Sequence, residues 1–220
     1  MKDSLLNKRF KYTYSNACLW LALVNLAVYF ATDYLGLYVK GIPIKYWLCM
    51  NPLMVRSGYV WQVFTYMFCH GNFTHLFFNM LGLMMFGSIV ERTLGTREFL
   101  LFYFVSGTLA GIASFALYAA TGQWLTFLLG ASGAIYAIEF LVAVLAPHMQ
   151  VLMFWFLPMK MPMAVIFYAV IEFFSQFVGG DGVAHAAHLF GILAAWLYCL
   201  VRFRVHPIRI WRDALGNPRT

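Results

Sequence analysis

Gly130-Ala131-Ser132-Gly133-Ala134-Ile135-Tyr136 places one serine between small residues at the head of an apolar segment. A hydroxyl inside a run of membrane length needs a partner. A candidate stands farther along the chain in His185-Ala186-Ala187-His188-Leu189-Phe190-Gly191, which again begins an apolar run. The two stretches together predict a polar site between two membrane helices.

The composition predicts that lipid is the natural solvent of the chain. Of its 220 residues, 63% are hydrophobic and 10% are charged, and the mean hydropathy is +0.75. Water-soluble domains carry about a quarter charged residues. The net charge of +7 would suggest nucleic acid in a soluble protein. Here the basic residues flank apolar runs, so we interpret them as setting the orientation in a bilayer and contacting anionic headgroups, with no nucleic-acid partner.

Apolar runs predict an all-α, polytopic membrane fold with six transmembrane helices. The runs cover residues 17–37, 72–90, 98–120, 127–146, 163–178 and 183–201. The first is too long for the core of a cleavable signal, so we interpret it as a retained span. Residues 40–70 hold prolines and many aromatic residues, which indicates an outer loop in the membrane interface. We expect one membrane domain over 1–220, with basic cytoplasmic ends at 1–15 and 202–220.

The distribution of lysine and arginine predicts the orientation of the six spans. With both termini inside, twelve basic residues lie on the cytoplasmic side and three lie outside. The twelve are Lys2, Lys8, Arg9, Lys11, Arg92, Arg97, Lys160, Arg202, Arg204, Arg209, Arg212 and Arg219, and the three are Lys40, Lys45 and Arg56. Spans two, four and six then all descend from the outer face.

Polar residues on these three spans are expected at a similar depth. His75 and Asn79 on span two, Ser132 on span four and His188 on span six lie on the order of 5 to 12 Å below the outer helix ends at about 1.5 Å per residue. His75 and Asn79 are four residues apart and share a helix face. Tyr136, one turn below Ser132, could pack against the histidine ring. A shared polar cavity open to the outside is predicted.

The chemistry that suits these residues is nucleophilic catalysis by serine. Serine needs a base to remove its proton, and histidine suits that role near neutral pH. A helix that starts near Ser132 aims unpaired N–H groups at a developing oxyanion. His185 and His188 could both face the cavity. The small residues Gly191 and Ala195 on the face of His188 favour His188 as the base and His185 as a neighbour.

Four motifs in chain order carry a resemblance to a known family. They are residues 70–79 (His-Gly-Asn-Phe-Thr-His-Leu-Phe-Phe-Asn), 91–95 (Glu-Arg-Thr-Leu-Gly), 130–133 with Tyr136, and 187–191 (Ala-His-Leu-Phe-Gly). In these motifs the chain resembles the rhomboid intramembrane serine proteases. The resemblance implies a six-helix rhomboid-like bundle in a bacterial inner (cell) membrane, acting on single-span membrane proteins in the lipid bilayer without a metal or cofactor.

The resemblance also implies roles for individual residues. Ser132 and His188 would form a catalytic dyad without a catalytic aspartate, and Tyr136 would pack against His188. The other implied site residues are His75, Asn79, Gly130 and Ala131 at the oxyanion and substrate position, together with the structural neighbours His70, His185, Gly133 and Gly191. One departure from the family is Trp61-Gln62, where an arginine often follows the tryptophan, so the anchoring of the loop is an open question.

Carboxylates near the site are few in the sequence. Glu139 lies two turns below Ser132, too far to orient His188, and is interpreted as an interhelical hydrogen-bonding group. Asp181 falls in an outer glycine-rich loop that could gate substrate entry. Glu172 is the remaining acid in or near the last three spans, and no acid is expected beside His188.

Other interpretations stay open at the sequence level. A metalloenzyme could use His70, His75, His185 and His188, although no His-Glu-x-x-His pattern or well-placed carboxylate supports it. A non-proteolytic membrane protein of the same fold that binds clients, or a small transporter, is a third class. Cys49 and Cys69 share the outer loop and could form a disulfide, whereas Cys18 and Cys199 are interpreted as inert.

Overall fold

Among the residues that the computed structural model describes, five helices are long and apolar enough to cross a membrane, and a sixth apolar helix is shorter. The structure describes residues 13–153, 156–178 and 184–216. Residues 1–12 of the predicted basic segment 1–15, Asp181 with its neighbouring glycines, and residues 217–220 lie outside the described residues. The five long helices and the shorter sixth agree with the predicted all-α, six-helix membrane bundle, so this prediction is confirmed.

The elements of the first half, in chain order, alternate spans with a loop of short helices. They are α1 (Ala17–Tyr29) extended by a π-helical turn (Phe30–Tyr34), β1 (Tyr38–Val39), β2 (Ile42–Pro43), α2 (Ile44–Leu48), α3 (Pro52–Arg56), α4 (Gln62–Thr65), a 3₁₀ turn (Tyr66–Phe68), α5 (Phe73–Gly82), a π-helical turn (Leu83–Gly87), α6 (Ser88–Leu94) and α7 (Thr96–Ala120). The loop between spans one and two therefore has its own folded structure.

The second half contains three further spans, one hairpin and a terminal helix. These are α8 (Ser132–Leu145), β3 (Gln150–Met153), β4 (Leu157–Lys160), α9 (Met161–Val178), α10 (His185–Tyr198) extended by a π-helical turn (Cys199–Phe203), and α11 (Pro207–Gly216). Both strand pairs are short antiparallel hairpins, which the sequence analysis did not predict. The expected C-terminal tail instead forms α11, whose Trp211 donates its indole N–H to the carbonyl of Ala143 at 2.9 Å.

Helix α8 begins five residues later than the sequence predicted. Its 14 residues span about 21 Å at about 1.5 Å each, less than the roughly 30 Å hydrocarbon core. Before it, Leu128 exchanges two backbone hydrogen bonds with Met50 of the outer loop, at 2.8 and 2.9 Å. Gly130 follows with a φ of 116°, a region that favours glycine. Pairing with the outer loop thus keeps residues 127–130 out of the helix, and α8 begins only at Ser132.

Helices α8 and α10 pack backbone to backbone. A Cβ placed on Gly191 would lie 2.0 Å from the carbonyl oxygen of Gly133, so only glycine fits at that contact. The C-terminal end of α10 and the turn after it are tied to α7 by Glu98, which accepts hydrogen bonds from Tyr198 at 2.7 Å and from Arg202 at 3.0 Å. The bundle centre is therefore built around α7, α8 and α10.

The small residues of α7 receive the outer loop as well as a helix. A Cβ on Gly107 would lie 2.1 Å from Sδ of Met67, and one on Gly111 would lie 2.4 Å from the carbonyl oxygen of Val63. Small residues four apart usually let two membrane helices approach closely. Here their main use is to let the folded outer loop sink against α7.

Gln62, which follows Trp61, anchors the outer loop, and this answers the open question of how the loop is held. Its side chain is fully buried. Its amide oxygen accepts from the backbone N–H of Asn51 at 3.0 Å, and its amide nitrogen donates to the carbonyl of Tyr46 at 2.9 Å. Asn51 in turn donates to the carbonyl of Thr126 at 3.2 Å. The loop is thereby connected to the segment that leads into α8.

Cys49 and Cys69 are neighbouring buried thiols and form no disulfide in the structure. Hydrogen bonding to the Cys49 thiol and burial raise the pKa of the Cys69 thiol. Both residues therefore act as small buried groups that help close the outer loop.

Candidate active site

Ser132 and His188 lie within hydrogen-bond distance of each other. Ser132 is the first residue of α8 and is half-buried, and His188 is the fourth residue of α10 and is buried. The Nε2 atom of His188 is 2.7 Å from the Oγ atom of Ser132. The contact of Gly191 with Gly133 one residue after Ser132 sets this spacing. Both side chains sit at helix N-termini rather than 5 to 12 Å along their helices, and the recess comes from the late start of α8.

Tyr136 stacks on His188 as the spacing predicted. The two ring centroids are 4.4 Å apart with an interplanar angle of 9°. The hydroxyl of Tyr136 donates a hydrogen bond to Oε1 of Glu172 on α9. Tyr136 therefore touches both the histidine ring and a carboxylate of the neighbouring helix.

Glu172 is a site residue that the sequence analysis missed. Its Oε2 atom is 2.6 Å from Nδ1 of His185 and 3.0 Å from Nδ1 of His188. The expectation that no acid stands beside His188, and that no well-placed carboxylate exists, is therefore wrong. One signal could have found it, because an ionisable residue inside a membrane span is a functional candidate by default.

The other side of Ser132 is lined by α5 and the segment before α8. The position that a Cβ of Gly130 would take is 2.7 Å from Nε2 of His75 and 3.6 Å from Oγ of Ser132. Asn79, one turn after His75, is buried and its Nδ2 has no hydrogen-bond partner among the described residues. The structure thus brings His75 next to Ser132 and leaves an amide donor free on the same face of α5.

Gly130 and Ala131 contribute backbone shape to this region. The N–H of Gly130 donates to the carbonyl of Tyr66 at 3.0 Å, so it is not available to an oxyanion. Ala131 is fully buried and its carbonyl accepts from the N–H of Ile135 in the first turn of α8. The first N–H groups of a helix have no acceptor within the helix, so those at Ser132 and Gly133 point outward from the start of α8.

His70 is buried, and its ring packs against the ring of His75. The two rings meet edge to face with centroids 5.2 Å apart. Burial, followed by repulsion from His75, lowers the pKa of His70 to about 3. His70 is therefore neutral at physiological pH, as suits a packing role.

Most of the chain, including the site, matches one family model. The model described as Rhomboid domain matches residues 57–205, which include every site residue named above. The chain belongs to the rhomboid family.

Curated relatives of this rhomboid include plant and bacterial proteins. It is 29% identical to RHOMBOID-like protein 12, mitochondrial, of Arabidopsis thaliana over 73% of this chain and 53% of that protein. It is 28% identical to Rhomboid protease GlpG of Salmonella choleraesuis over 54% of this chain and 40% of that protein. It is 36% identical to Rhomboid protease GluP of Bacillus subtilis over 38% of this chain and 15% of that protein. The chain spans about half the length of the curated relatives it matches, or less.

This rhomboid is an integral membrane protein. Three side chains at its site form a cluster that could bind a metal. Ligand atoms of Glu172, His185 and His188 all lie within 4.8 Å of one another. Two ligands of a tetrahedral zinc ion are roughly 3.3 Å apart at zinc distances of about 2.0 Å. The 2.6 Å between Glu172 and His185 is shorter, so the cluster has the geometry of a hydrogen-bonded network. The four-histidine arrangement considered from the sequence is not what the structure assembles among the described residues.

Proposed function

We propose that this rhomboid is an intramembrane serine endopeptidase that cleaves transmembrane segments of membrane proteins with a Ser132–His188 pair. The observation that carries the proposal is the 2.7 Å distance between Nε2 of His188 and Oγ of Ser132. A nucleophile and its general base require such a hydrogen bond. Two of the relatives are named rhomboid proteases, which supports the same class of reaction.

The reaction follows the order of serine protease chemistry. Oγ of Ser132 attacks the carbonyl carbon of the scissile peptide while its proton passes to Nε2 of His188. His188 then gives this proton to the nitrogen of the leaving amine, which leaves an acyl ester on Ser132. Water then gives a proton to Nε2 of His188 and attacks the ester. The bond between the acyl carbon and Oγ of Ser132 breaks, and His188 returns the proton to Oγ as the second product leaves.

Donors for the negatively charged oxygen are available on both sides of Ser132. The first N–H groups of α8 have no acceptor inside the helix, and the unpartnered amide of Asn79 lies on the face of α5 that carries His75. A buried donor without a partner is costly unless a ligand satisfies it. We therefore assign His75, Asn79 and the backbone N–H of Ser132 to the oxyanion site, with Gly130 and Ala131 shaping the approach of the substrate.

The substrate class follows from the location of the site. A helix hides its carbonyl groups in internal hydrogen bonds, and in lipid these bonds are not given up readily. Single-span membrane proteins with small or helix-breaking residues near the cut can unwind locally at least cost. These proteins are the proposed substrates.

The proposed orientation keeps both termini in the cytoplasm and opens the site to the outer side of a bacterial inner membrane. Twelve of the 15 basic residues lie on the cytoplasmic side in this arrangement. Single cysteines introduced at Lys45 and at Arg209 in a background without Cys18, Cys49, Cys69 and Cys199 would report the sides. A membrane-impermeant maleimide should label the first in intact cells, and labelling of the second instead would reverse the orientation.

A panel of single-span proteins in proteoliposomes tests the proposed activity. Wild type should cleave at least one of them, and Ser132→Ala and His188→Ala should lower kcat on the order of 10⁶-fold, to below detection. A fluorophosphonate probe should label wild type and not Ser132→Ala. Ser114→Ala, which changes a buried serine of α7, is the matched control and should cleave like wild type.

The outcomes also separate the proposed function from the other classes. Cleavage that survives Ser132→Ala would exclude Ser132 as the nucleophile. Binding of a single-span protein by wild type without any cleavage would instead favour a non-proteolytic rhomboid that binds clients.

A further inference from the structure

We propose that Glu172 is a positioning residue for His188, so that the site operates as a Ser132–His188–Glu172 triad. This inference rests on the proposed protease function and concerns how the base is held and stabilised. Glu172 comes from α9, a different helix from both Ser132 on α8 and His188 on α10. Three helices would therefore contribute one group each to the catalytic relay.

The two oxygens of Glu172 have separate partners. Oε1 accepts a hydrogen bond from the hydroxyl of Tyr136. Oε2 lies 2.6 Å from Nδ1 of His185 and 3.0 Å from Nδ1 of His188. The carboxylate is thus fixed on one side by Tyr136 and His185, and it presents the same Oε2 to His188.

The position of Oε2 selects the useful tautomer of His188. Nε2 faces Ser132 at 2.7 Å and must be unprotonated to accept the proton of the serine hydroxyl. The ring proton then resides on Nδ1, next to Oε2 of Glu172. A carboxylate beside Nδ1 favours this tautomer and holds the ring in the orientation that the reaction needs.

The same contact stabilises the charge that forms during the reaction. When the serine proton reaches Nε2, the ring becomes an imidazolium, and Glu172 provides the opposite charge without taking the proton. Both side chains are only 9% exposed, so water screens the pair weakly. Oε2 of Glu172 lies within ion-pair distance of Nδ1 of His188. It lies away from the direction of the Nδ1–H bond, so the two groups form an ion pair without a hydrogen bond.

A purely structural role would leave Glu172 unrelated to the histidine. A charged group within a membrane span is expensive, and most such residues are kept for function. The groups that face Glu172 are Tyr136 on α8 and His185 and His188 on α10, with Glu139 on α8 and Tyr168 on α9 nearby. Three of these five contact the carboxylate directly, and each of the three belongs to the site or touches it.

The test compares kcat and KM of Glu172→Gln with wild type for one cleaved single-span substrate in proteoliposomes. Glutamine keeps the size and one acceptor oxygen but removes the charge. An aligned triad acid contributes about 10⁴-fold to kcat in serine proteases. Because Oε2 is off axis, we expect kcat to fall about 100-fold with KM unchanged, and Glu172→Asp, which retains the charge, to recover part of the loss.

Glu139→Gln is the matched control, since it makes the same acid-to-amide change at another acid of the bundle, three residues after Tyr136 on α8. It should leave kcat at the wild-type value. A kcat of Glu172→Gln within about twofold of wild type, or an equal loss in Glu139→Gln, would overturn the positioning role while leaving the protease proposal intact.

Two further outcomes remain decisive. If Glu172→Gln does not fold, Tyr136→Phe takes its place: it keeps the stacked ring, frees Oε1, and should lower kcat several-fold without a change in melting temperature. Wild-type kcat in Tyr136→Phe would then overturn the inference. If wild type itself cleaves nothing and the fluorophosphonate probe labels no serine, the proposed function fails, and the role of Glu172 fails with it.

Discussion

The α-carbon of Gly191 faces the carbonyl of Gly133 so closely that a Cβ on Gly191 would lie 2.0 Å from that oxygen. Gly133 directly follows Ser132, and Gly191 lies one turn after His188. This contact therefore sets the distance between the serine and the histidine. No side-chain rotation can relieve the overlap, since both partners are backbone.

Gly191→Ala should separate α8 from α10. Overpacking of a well-packed core costs about 1 to 3 kcal/mol, and a clash with backbone belongs at the upper end or beyond. Thermal unfolding in detergent should show a lower melting temperature, and substrate cleavage should fall with it because the Ser132–His188 distance grows. Gly216→Ala is the matched control, as a Cβ there meets nothing within 4 Å. A variant Gly191→Ala with wild-type melting temperature and activity would contradict the packing described.

Gln62 should be indispensable for the folded outer loop. Gln62→Leu leaves the N–H of Asn51 and the carbonyl of Tyr46 without their buried partners. Each unsatisfied buried group costs about 1 to 3 kcal/mol, so the melting temperature should drop clearly. Gln62→Arg should also destabilise, because a guanidinium donates but cannot accept from Asn51.

The control for this position is Gln123→Leu, which changes an exposed glutamine beside the same segment. It should alter stability by no more than about 0.5 kcal/mol. If Gln62→Arg were as stable as wild type, the loop would have to tolerate an unpaired Asn51 N–H, and the anchoring role of the amide oxygen would be excluded.

The spans were predictable because hydropathy and length respond to the thickness of the bilayer. The start of α8 was not. Residues 127–131 are mostly apolar and look like the first turn of a span, yet Leu128 pairs with Met50 and the helix begins only at Ser132. Tertiary pairing thus overrides a local preference, and no periodicity in the sequence announces it.

The same limit explains which site residues the sequence revealed. Ser132 and Tyr136 are four residues apart on α8, and His185 and His188 are three apart on α10. Each spacing places its two residues on one face of their helix. Glu172 has no such relation to His188, because its approach depends on how α9 packs against α10. Only the hint that membrane acids are functional was available, and the distances came from the structure.

Glu91 should matter for stability rather than for catalysis. Its Oε1 accepts from the N–H of Ala17 at 2.8 Å and from the hydroxyl of Thr96 at 2.6 Å, and its Oε2 accepts from the N–H of Cys18 at 3.1 Å. The carboxylate thereby caps the first span and ties it to α7. Glu91→Gln replaces one acceptor with an amide donor that opposes an N–H, so we expect a loss of about 1 to 3 kcal/mol.

Asp213→Asn serves as the comparison for Glu91→Gln, because Asp213 is an exposed acid that, among the described residues, pairs only with Arg212, at 3.6 Å. Its removal should change stability by less than about 1 kcal/mol. Chemical denaturation of both variants in the same detergent would measure the difference. Equal stability of the two variants would mean that the cap on α1 contributes nothing.

His70 makes the stability of the bundle depend on pH. Its pKa falls from 6.5 to about 3 because the ring is buried and lies next to His75. Between these values the unfolded chain binds a proton that the folded chain does not, so stability is complete above pH 6.5 and declines as the pH falls toward 3. The slope from this one group is about 1.4 kcal/mol per pH unit.

His70→Gln removes the titrating group, so unfolding measured at pH 7 and pH 5 should show about 2 kcal/mol less acid destabilisation in the variant than in wild type. An equal acid loss in both proteins would mean that His70 is charged, or free to charge, in the folded state.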